Sequence, residues 1–208
     1  MSSVTLIAVV AGYFLGALPF GYLVAKAKGV DIFSVGSRNP GATNVRRVLG
    51  HGPGNLVLFL DAAKGAAAAG WPLWFSGAVA GESAAITGLV AAIVGHSFSC
   101  FTGFRGGKSV ATAAGGFAVV FPLGAAIALG VFGLTLAVSR YVSLSSMLAA
   151  VTLVISAVAM ARSLVVVIVT AAIASFVILR HRANISRLVA GTESKVGSKP
   201  PSAPSSPA

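Results

Sequence analysis

Lys108-SVATAAGGFAVVFPLGAAIALGVFGLTLAVS-Arg140 decides the architecture of this chain. No charged residue interrupts positions 109–139. As one helix the stretch would be about 50 Å long at 1.5 Å per residue, well beyond the ~30 Å hydrocarbon core of a bilayer. Pro122 lies inside it, and a proline in a helix interior removes a hydrogen bond and clashes with the preceding turn. The stretch therefore divides into a short span at 108–121 and a second at 123–139. Apolar runs on either side predict further spans at Val4–Ala25, 54–75, 83–101, 142–161 and 163–180, giving seven in all, or six if 108–139 is one tilted segment, an arrangement that balances the charges badly. The predicted fold is all-α, a polytopic transmembrane bundle.

Composition excludes the soluble alternative. Of 208 residues 56% are hydrophobic and 9% charged, whereas a soluble domain carries roughly 25% charged residues. Lys and Arg number 15 against four Asp and Glu. In a soluble chain that excess would suggest nucleic acid; here the basic residues fall between and after apolar runs. An odd number of spans places the termini on opposite sides. With the C-terminus inside, 13 of the 15 basic residues face the cytoplasm, leaving Arg162 outside and Lys64 within a span, in keeping with the positive-inside bias. The first apolar run has no basic leader and no cleavage signature, so it is expected to remain as a span. Residues 1–196 are read as the membrane domain. The Pro/Ser-rich stretch 197–208 is read as a disordered cytoplasmic tail.

The polar sequence collects on that one inner face. Loop one reads VGSRNPGATNVRR, Val35 to Arg47. Gly36 and Gly41 free the backbone so that successive N–H groups can form an anion-binding concavity. Ser37, Asn39, Thr43 and Asn44 add neutral polar groups, and Arg47 can fork onto two phosphate oxygens. A tight turn with solvated arginines would share this composition. Loop two reads GFRGGKSVAT, Gly103 to Thr112. There Gly106 and Gly107 precede Lys108 at the start of an apolar helix, a combination suited to an anion. The spacing is not that of a nucleotide-hydrolase phosphate loop. Loop three, RYVSLSS, supplies Ser143; the C-terminal RHRANISRLVAGTE supplies His181, Asn184 and Glu193. His181 and Asn184 are three apart and share a helix face. Glu193, the only acid there, is expected to pair with an arginine.

Intramembrane ionisable residues are costly and default to function. Asp61 and Lys64, at i and i+3, are expected to satisfy each other as a clamp beneath the site, with His96 supporting the loops. One cysteine, Cys100, permits no internal disulfide. Carboxylates are too few for a hard-cation cage, and neither metal nor cofactor is implied.

GSRNPGATNVRR, LDAAKG (Leu60–Gly65), GHSF (Gly95–Phe98), GFRGGKSVAT, RYVSLSS and RHRANISRL occur in series. In order and spacing they resemble the PlsY family, bacterial acyl-phosphate-dependent glycerol-3-phosphate acyltransferases. The resemblance implies a compact bundle in the bacterial inner membrane, with its site open to the cytoplasm. It further implies transfer of an acyl group from acyl phosphate to the 1-hydroxyl of glycerol 3-phosphate, the first step of phospholipid synthesis. By matching positions, Ser37, Asn39, Lys108 and Ser143 hold substrate phosphates, Arg47 is the family's arginine, and His181 and Asn184 are its polar pair. The candidate catalytic residues are Ser37, Lys108, Arg47 and His181. Arg38 and Ser109 depart from the family pattern, which has glycine at both. A serine at Ser109 suits a helix N-terminus. His181 and His96 are candidate bases with pKa near neutrality, beside a phosphate oxygen of the substrate. The alternative function is a transporter for an anionic, phosphate-bearing solute. A coenzyme-A-dependent transferase is disfavoured: the positions four after His51, His96 and His181 are Asn55, Cys100 and Ile185, so the usual His–Asp pair is missing.

Overall fold

A computed structural model of the chain describes residues 3–75 and 78–197, side chains at 74–80 excepted. Every regular element among them is helical, as lipid demands, because only a helix or a closed barrel satisfies its own backbone there. In chain order these are α1 (Ser3–Ala17), α2 (Phe20–Lys26), α3 (Ala42–Leu49), α4 (His51–Phe75) and α5 (Ala78–Ser97). Then come α6 (Val110–Val120), α7 (Pro122–Ser139), α8 (Val142–Ala159), α9 (Leu164–Arg180) and α10 (Arg182–Val189). The predicted tail beyond Gly197 lies outside the described residues.

Pro122 acts where expected. Helix α6 ends at Val120, Phe121 takes an extended φ of −144°, and Pro122 opens α7 at its first helical position, where a missing N–H costs nothing. The count of seven crossings is a separate matter. Five segments are long and apolar enough to span: Ser3–Lys26, His51–Leu73, Gly81–Thr102, Pro122–Ser139 and Val142–Ala159. Leu164–Arg180 joins them only together with Arg182–Val189, across a bend of 58° at His181. Helix α6 has 11 residues, about 16 Å of rise, half the hydrocarbon thickness. Its glycines and threonine allow close packing inside the bundle.

Helices approach closely where side chains vanish. A Cβ on Gly12 or Gly16 of α1 would come 2.4 Å from the Gly88 carbonyl oxygen and 2.1 Å from that of Ala92 on α5. Gly65 of α4 and Gly115 of α6 form a reciprocal pair: a Cβ on either would lie 1.9 Å from the carbonyl oxygen of Thr112 or of Ala62. Small residues at interfaces are how membrane helices gain packing energy, since lipid offers no hydrophobic drive. Around these crossings Leu89, Phe117, Phe121, Leu153, Val166 and Ile173 fill one core between α5, α6, α8 and α9. A smaller cluster of Ala25, Ile32, Val45 and Val57 ties α2 and α3 to α4. Large apolar residues such as Leu134, Val138 and Leu164 remain exposed, facing the bilayer.

Candidate active site

Loop one is a self-supporting turn built on Asn44. The Asn44 Oδ1 accepts the Ser37 N–H at 2.8 Å, and its Nδ2 donates to the Val35 carbonyl at 3.1 Å. Arg47 Nη1 lies 3.5 Å from the same Oδ1. Asn44 is 2% exposed, so its amide is committed to loop shape. Gly36 has φ +58°, and a Cβ there would sit 2.3 Å from Asn44 Oδ1; only glycine fits. Asn39 Oδ1 accepts the Gly41 N–H at 2.9 Å, while its Nδ2 reaches across to the Gly106 carbonyl at 3.4 Å. That contact joins loop one to loop two. Ser37 and Thr43 are exposed, with hydroxyls that make no hydrogen bond among the described residues.

Loop two lies against the buried cluster beneath it. Lys64 Nζ is 2.8 Å from Asp61 Oδ1 and donates to the Leu18 carbonyl at 2.8 Å; His96 Nδ1 is 3.5 Å from the same carboxylate oxygen. The His96 carbonyl accepts the Gly107 N–H at 3.1 Å. Cβ atoms on Gly106 and Gly107 would lie 2.1 Å from the His96 carbonyl oxygen and from His96 Nε2. Both glycines are required because the chain rests directly on His96.

The two departures from the glycine pattern fall on left-handed backbone: Arg38 has φ +55° and Ser109 φ +61°. Such a conformation costs an L-residue about 1–2 kcal/mol. Ser109 was expected to cap α6, but its side chain does not. Its hydroxyl donates to the Ile93 carbonyl at 2.8 Å and lies 2.7 Å from Ser97 Oγ. At about 1 kcal/mol per net hydrogen bond, those contacts offset the strain. Arg38 is exposed and has no such compensation.

The C-terminal segment closes the site. Glu193 Oε1 accepts from Ser143 Oγ at 2.7 Å and from Asn184 Nδ2 at 2.6 Å; Oε2 accepts from Arg187 Nε at 2.7 Å. These donors hold its carboxyl below the usual range despite the opposing effect of burial. Lys108 Nζ donates to Asn184 Oδ1, so Lys108, Asn184, Glu193, Ser143 and Arg187 form one chain of contacts. The segment carrying Glu193 is tied down by an exchange between Val196 and Arg140, with Val196 N–H on the Arg140 carbonyl at 2.8 Å and Arg140 Nη2 on the Val196 carbonyl at 2.6 Å.

Burial pushes the Lys108 ammonium down to about 8, with Arg187, Arg180 and Arg47 adding to the effect and Glu193 opposing it. The Arg47 guanidinium is likewise lowered by burial. His181 is pushed down to about 4, by burial first and by Lys108 second. That corrects the expectation of a near-neutral imidazole. At pH 7 the ring is uncharged, and its Nδ1 contact with the Val177 carbonyl at 2.8 Å makes Nδ1 the donor and leaves Nε2 as an acceptor.

Arg180 and Arg187 belong to the site although the sequence marked them only as basic residues of one face. Arg180 Nη2 donates to the carbonyls of Gly106 at 3.1 Å and Gly107 at 2.9 Å. Pairing of Arg187 with Glu193 was the one available signal, since Glu193 needed an arginine. Nothing local to Arg180 announces a contact 73 residues away in sequence.

The glycerol-3-phosphate acyltransferase family model matches residues 6–191. A glycerol-3-phosphate acyltransferase of Synechococcus sp. (strain JA-2-3B'a(2-13)) is 45% identical over 198 residues, covering 93% of this chain and 96% of that one. The Geobacillus kaustophilus enzyme of the same name is 43% identical over 193 residues, covering 92% and 96%. Two crystal structures of PlsY, an integral membrane glycerol 3-phosphate acyltransferase, share the fold. Its glycerol 3-phosphate form has TM-score 0.88 at 37% identity over 93% of this chain and 96% of that one. Its lysophosphatidic acid form has TM-score 0.83 at 38% identity over 93% and 95%. On all of these grounds the chain belongs to the glycerol-3-phosphate acyltransferase family.

Proposed function

We propose that this chain takes an acyl group from acyl phosphate and places it on the 1-hydroxyl of glycerol 3-phosphate, releasing lysophosphatidic acid and inorganic phosphate at the cytoplasmic face. The observation that carries the reading is the imbalance of charge around Glu193. Arg187, Arg180 and Arg47 all act on Lys108 there, and Glu193 is the single anion that opposes them among the described residues. Three positive charges are left uncompensated, in a partly desolvated setting that suits dianionic phosphates. Loops one, two and three and the C-terminal segment all gather at this end. The pair Arg162–Glu82, 3.3 Å apart, marks the other end, consistent with an N-terminus outside, a C-terminus in the cytoplasm and seven helical crossings or partial crossings.

Acyl phosphate is already activated, so the protein must align two anions and stabilise charge leaving with phosphate. The glycerol 1-hydroxyl attacks the acyl carbon; the bond from that carbon to the phosphate oxygen breaks, and phosphate leaves with the electron pair. Lys108 and Arg47 lower the energy of charge building on the leaving group, while Ser37 and Asn39 hold phosphates in line and Ser143, whose proton is on Glu193, braces that carboxylate. The hydroxyl proton passes to a phosphate oxygen. His181, with a pKa about 4, is too weak a base at pH 7, and its neutral Nε2 serves as a hydrogen-bond acceptor instead. No acyl-enzyme forms.

Inverted membrane vesicles given palmitoyl phosphate are expected to release phosphate only when glycerol 3-phosphate is added outside, with lysophosphatidic acid formed in equal amount. Right-side-out vesicles should be silent. Counterflow of labelled glycerol 3-phosphate without acyl transfer would establish the transporter instead. The pH profile is set by Lys108. Its free-enzyme pKa is lowered to about 8, and bound phosphate favours the ammonium and raises it. Affinity is therefore full below about 8 and declines above it, up to tenfold per pH unit. The KM of the wild-type enzyme should rise above pH 8, and Lys108→Arg should remove that inflection.

A further inference from the structure

Arg180 ends α9, immediately before the 58° bend, and its guanidinium is not spent on a carboxylate: among the described residues no acid lies within ion-pair distance. A single nitrogen, Nη2, instead donates to two successive carbonyls, Gly106 at 3.1 Å and Gly107 at 2.9 Å. The guanidinium carbon sits 5.4 Å from the Phe98 ring centroid, a cation–π contact that fixes where the group lies. Its Nε is buried without a hydrogen-bond partner. A guanidinium kept this way costs stability, so its retention points to a role at the carbonyls it holds.

Those carbonyls set the direction of the next N–H groups in the chain. In a trans peptide the C=O and the next N–H point opposite ways in one rigid plane. Fixing the Gly106 carbonyl aims the Gly107 N–H at the His96 carbonyl, where it bonds at 3.1 Å. Fixing the Gly107 carbonyl, with help from Ser97 Oγ at 3.3 Å, aims the Lys108 N–H away from Arg180. That N–H has no partner among the described residues. Next in the chain come the unpaired amides that open α6. Two consecutive glycines have no side chain to select this geometry for themselves, so contacts from other segments must hold the peptide planes. Asn39 shares the Gly106 carbonyl at 3.4 Å, so the clamp also joins loop one to loop two.

We infer that Arg180 is a positioning residue, which locks the Gly106–Gly107–Lys108 backbone so that the Lys108 N–H and ammonium meet the transferring phosphate together. This role rests on the reading that loop two holds that phosphate. Arg180 acts through the loop and does not touch substrate.

The test is steady-state kinetics on the full-length protein in detergent. Arg180→Met, which keeps the stem and loses the donors, should lower kcat by about 100-fold, the scale of a misplaced reacting group. The KM for glycerol 3-phosphate should stay within about threefold, because loop one remains in place. Arg180→Lys keeps the charge on a single ammonium and should recover only part of the loss. In Arg180→Ala, added methylguanidinium should restore activity and ethylammonium should not. Lys108→Ala runs in parallel. If it remains active, the phosphate-loop reading fails; if it is inactive while Arg180→Met keeps kcat within about threefold, the positioning role alone fails. Full recovery in Arg180→Lys, equal rescue by ethylammonium, or a KM rise matching the fall in kcat would each overturn positioning in favour of plain charge or general collapse.

Discussion

Lys108→Ala is expected to lower kcat/KM by about 10²–10³-fold, the usual loss when one preorganised donor to developing charge is removed, while the protein folds normally. The two halves of this expectation have the same origin. Lys108 is half-buried, and its ammonium is destabilised by that burial and by the like charges of Arg187, Arg180 and Arg47. A group held in that state waits for an anion, and its replacement by alanine removes repulsion from the resting enzyme. Thermal unfolding in detergent should therefore occur at the same temperature as wild type or higher. Asn184, released from the Lys108 ammonium, keeps its bond to Glu193. The result that would sink the assignment is a drop in stability with activity preserved, which would make Lys108 a scaffold residue.

Replacing either member of the Gly65–Gly115 pair by leucine should prevent folding altogether. At each site the new Cβ would lie 1.9 Å from a backbone carbonyl oxygen on the facing helix, and a backbone atom cannot rotate away as a side chain can. Overpacking a core usually costs about 1–3 kcal/mol; forcing α4 and α6 apart along their whole crossing should exceed that. Loop two opens α6, so the displacement would also carry Lys108 away from Asn184. The control is built into the next helix. A Cβ added to Gly130 or Gly133 of α7 would meet nothing within 4 Å, and Gly130→Leu should leave yield, monodispersity and activity unchanged. Recovery of monodisperse, active Gly115→Leu would show that α4 and α6 can separate without loss of the fold.

Much of this protein can be read from its residues alone, for a physical reason. Lipid imposes a length and a polarity on every crossing segment, so an uncharged run from 109 to 139 cut by Pro122 announces two helices wherever the rest of the chain goes. The excess of Lys and Arg between and after the apolar runs, the glycines of loops one and two, and the i, i+3 pairing of Asp61 with Lys64 are likewise local facts. Six short motifs in series then carry the family. Other features depend on contacts between segments far apart in the chain. The left-handed φ at Arg38 and Ser109, the use of Asn44 as a loop brace, and the low pKa of His181 all depend on what lies across the fold. An imidazole near neutrality in water is driven to about 4 by burial beside Lys108, a residue remote in the chain. Arg180 is the plainest case: its neighbours suggest a solvated cytoplasmic arginine, and only the packing of α9 against loop two gives it two carbonyls to hold. Sequence determined the helices, the membrane and the chemistry of the loops, because those depend on periods and compositions within one segment. Tertiary structure alone decided which polar side chains of the loops lie together and which carbonyls Arg180 holds, because burial and hydrogen-bond direction exist only between segments.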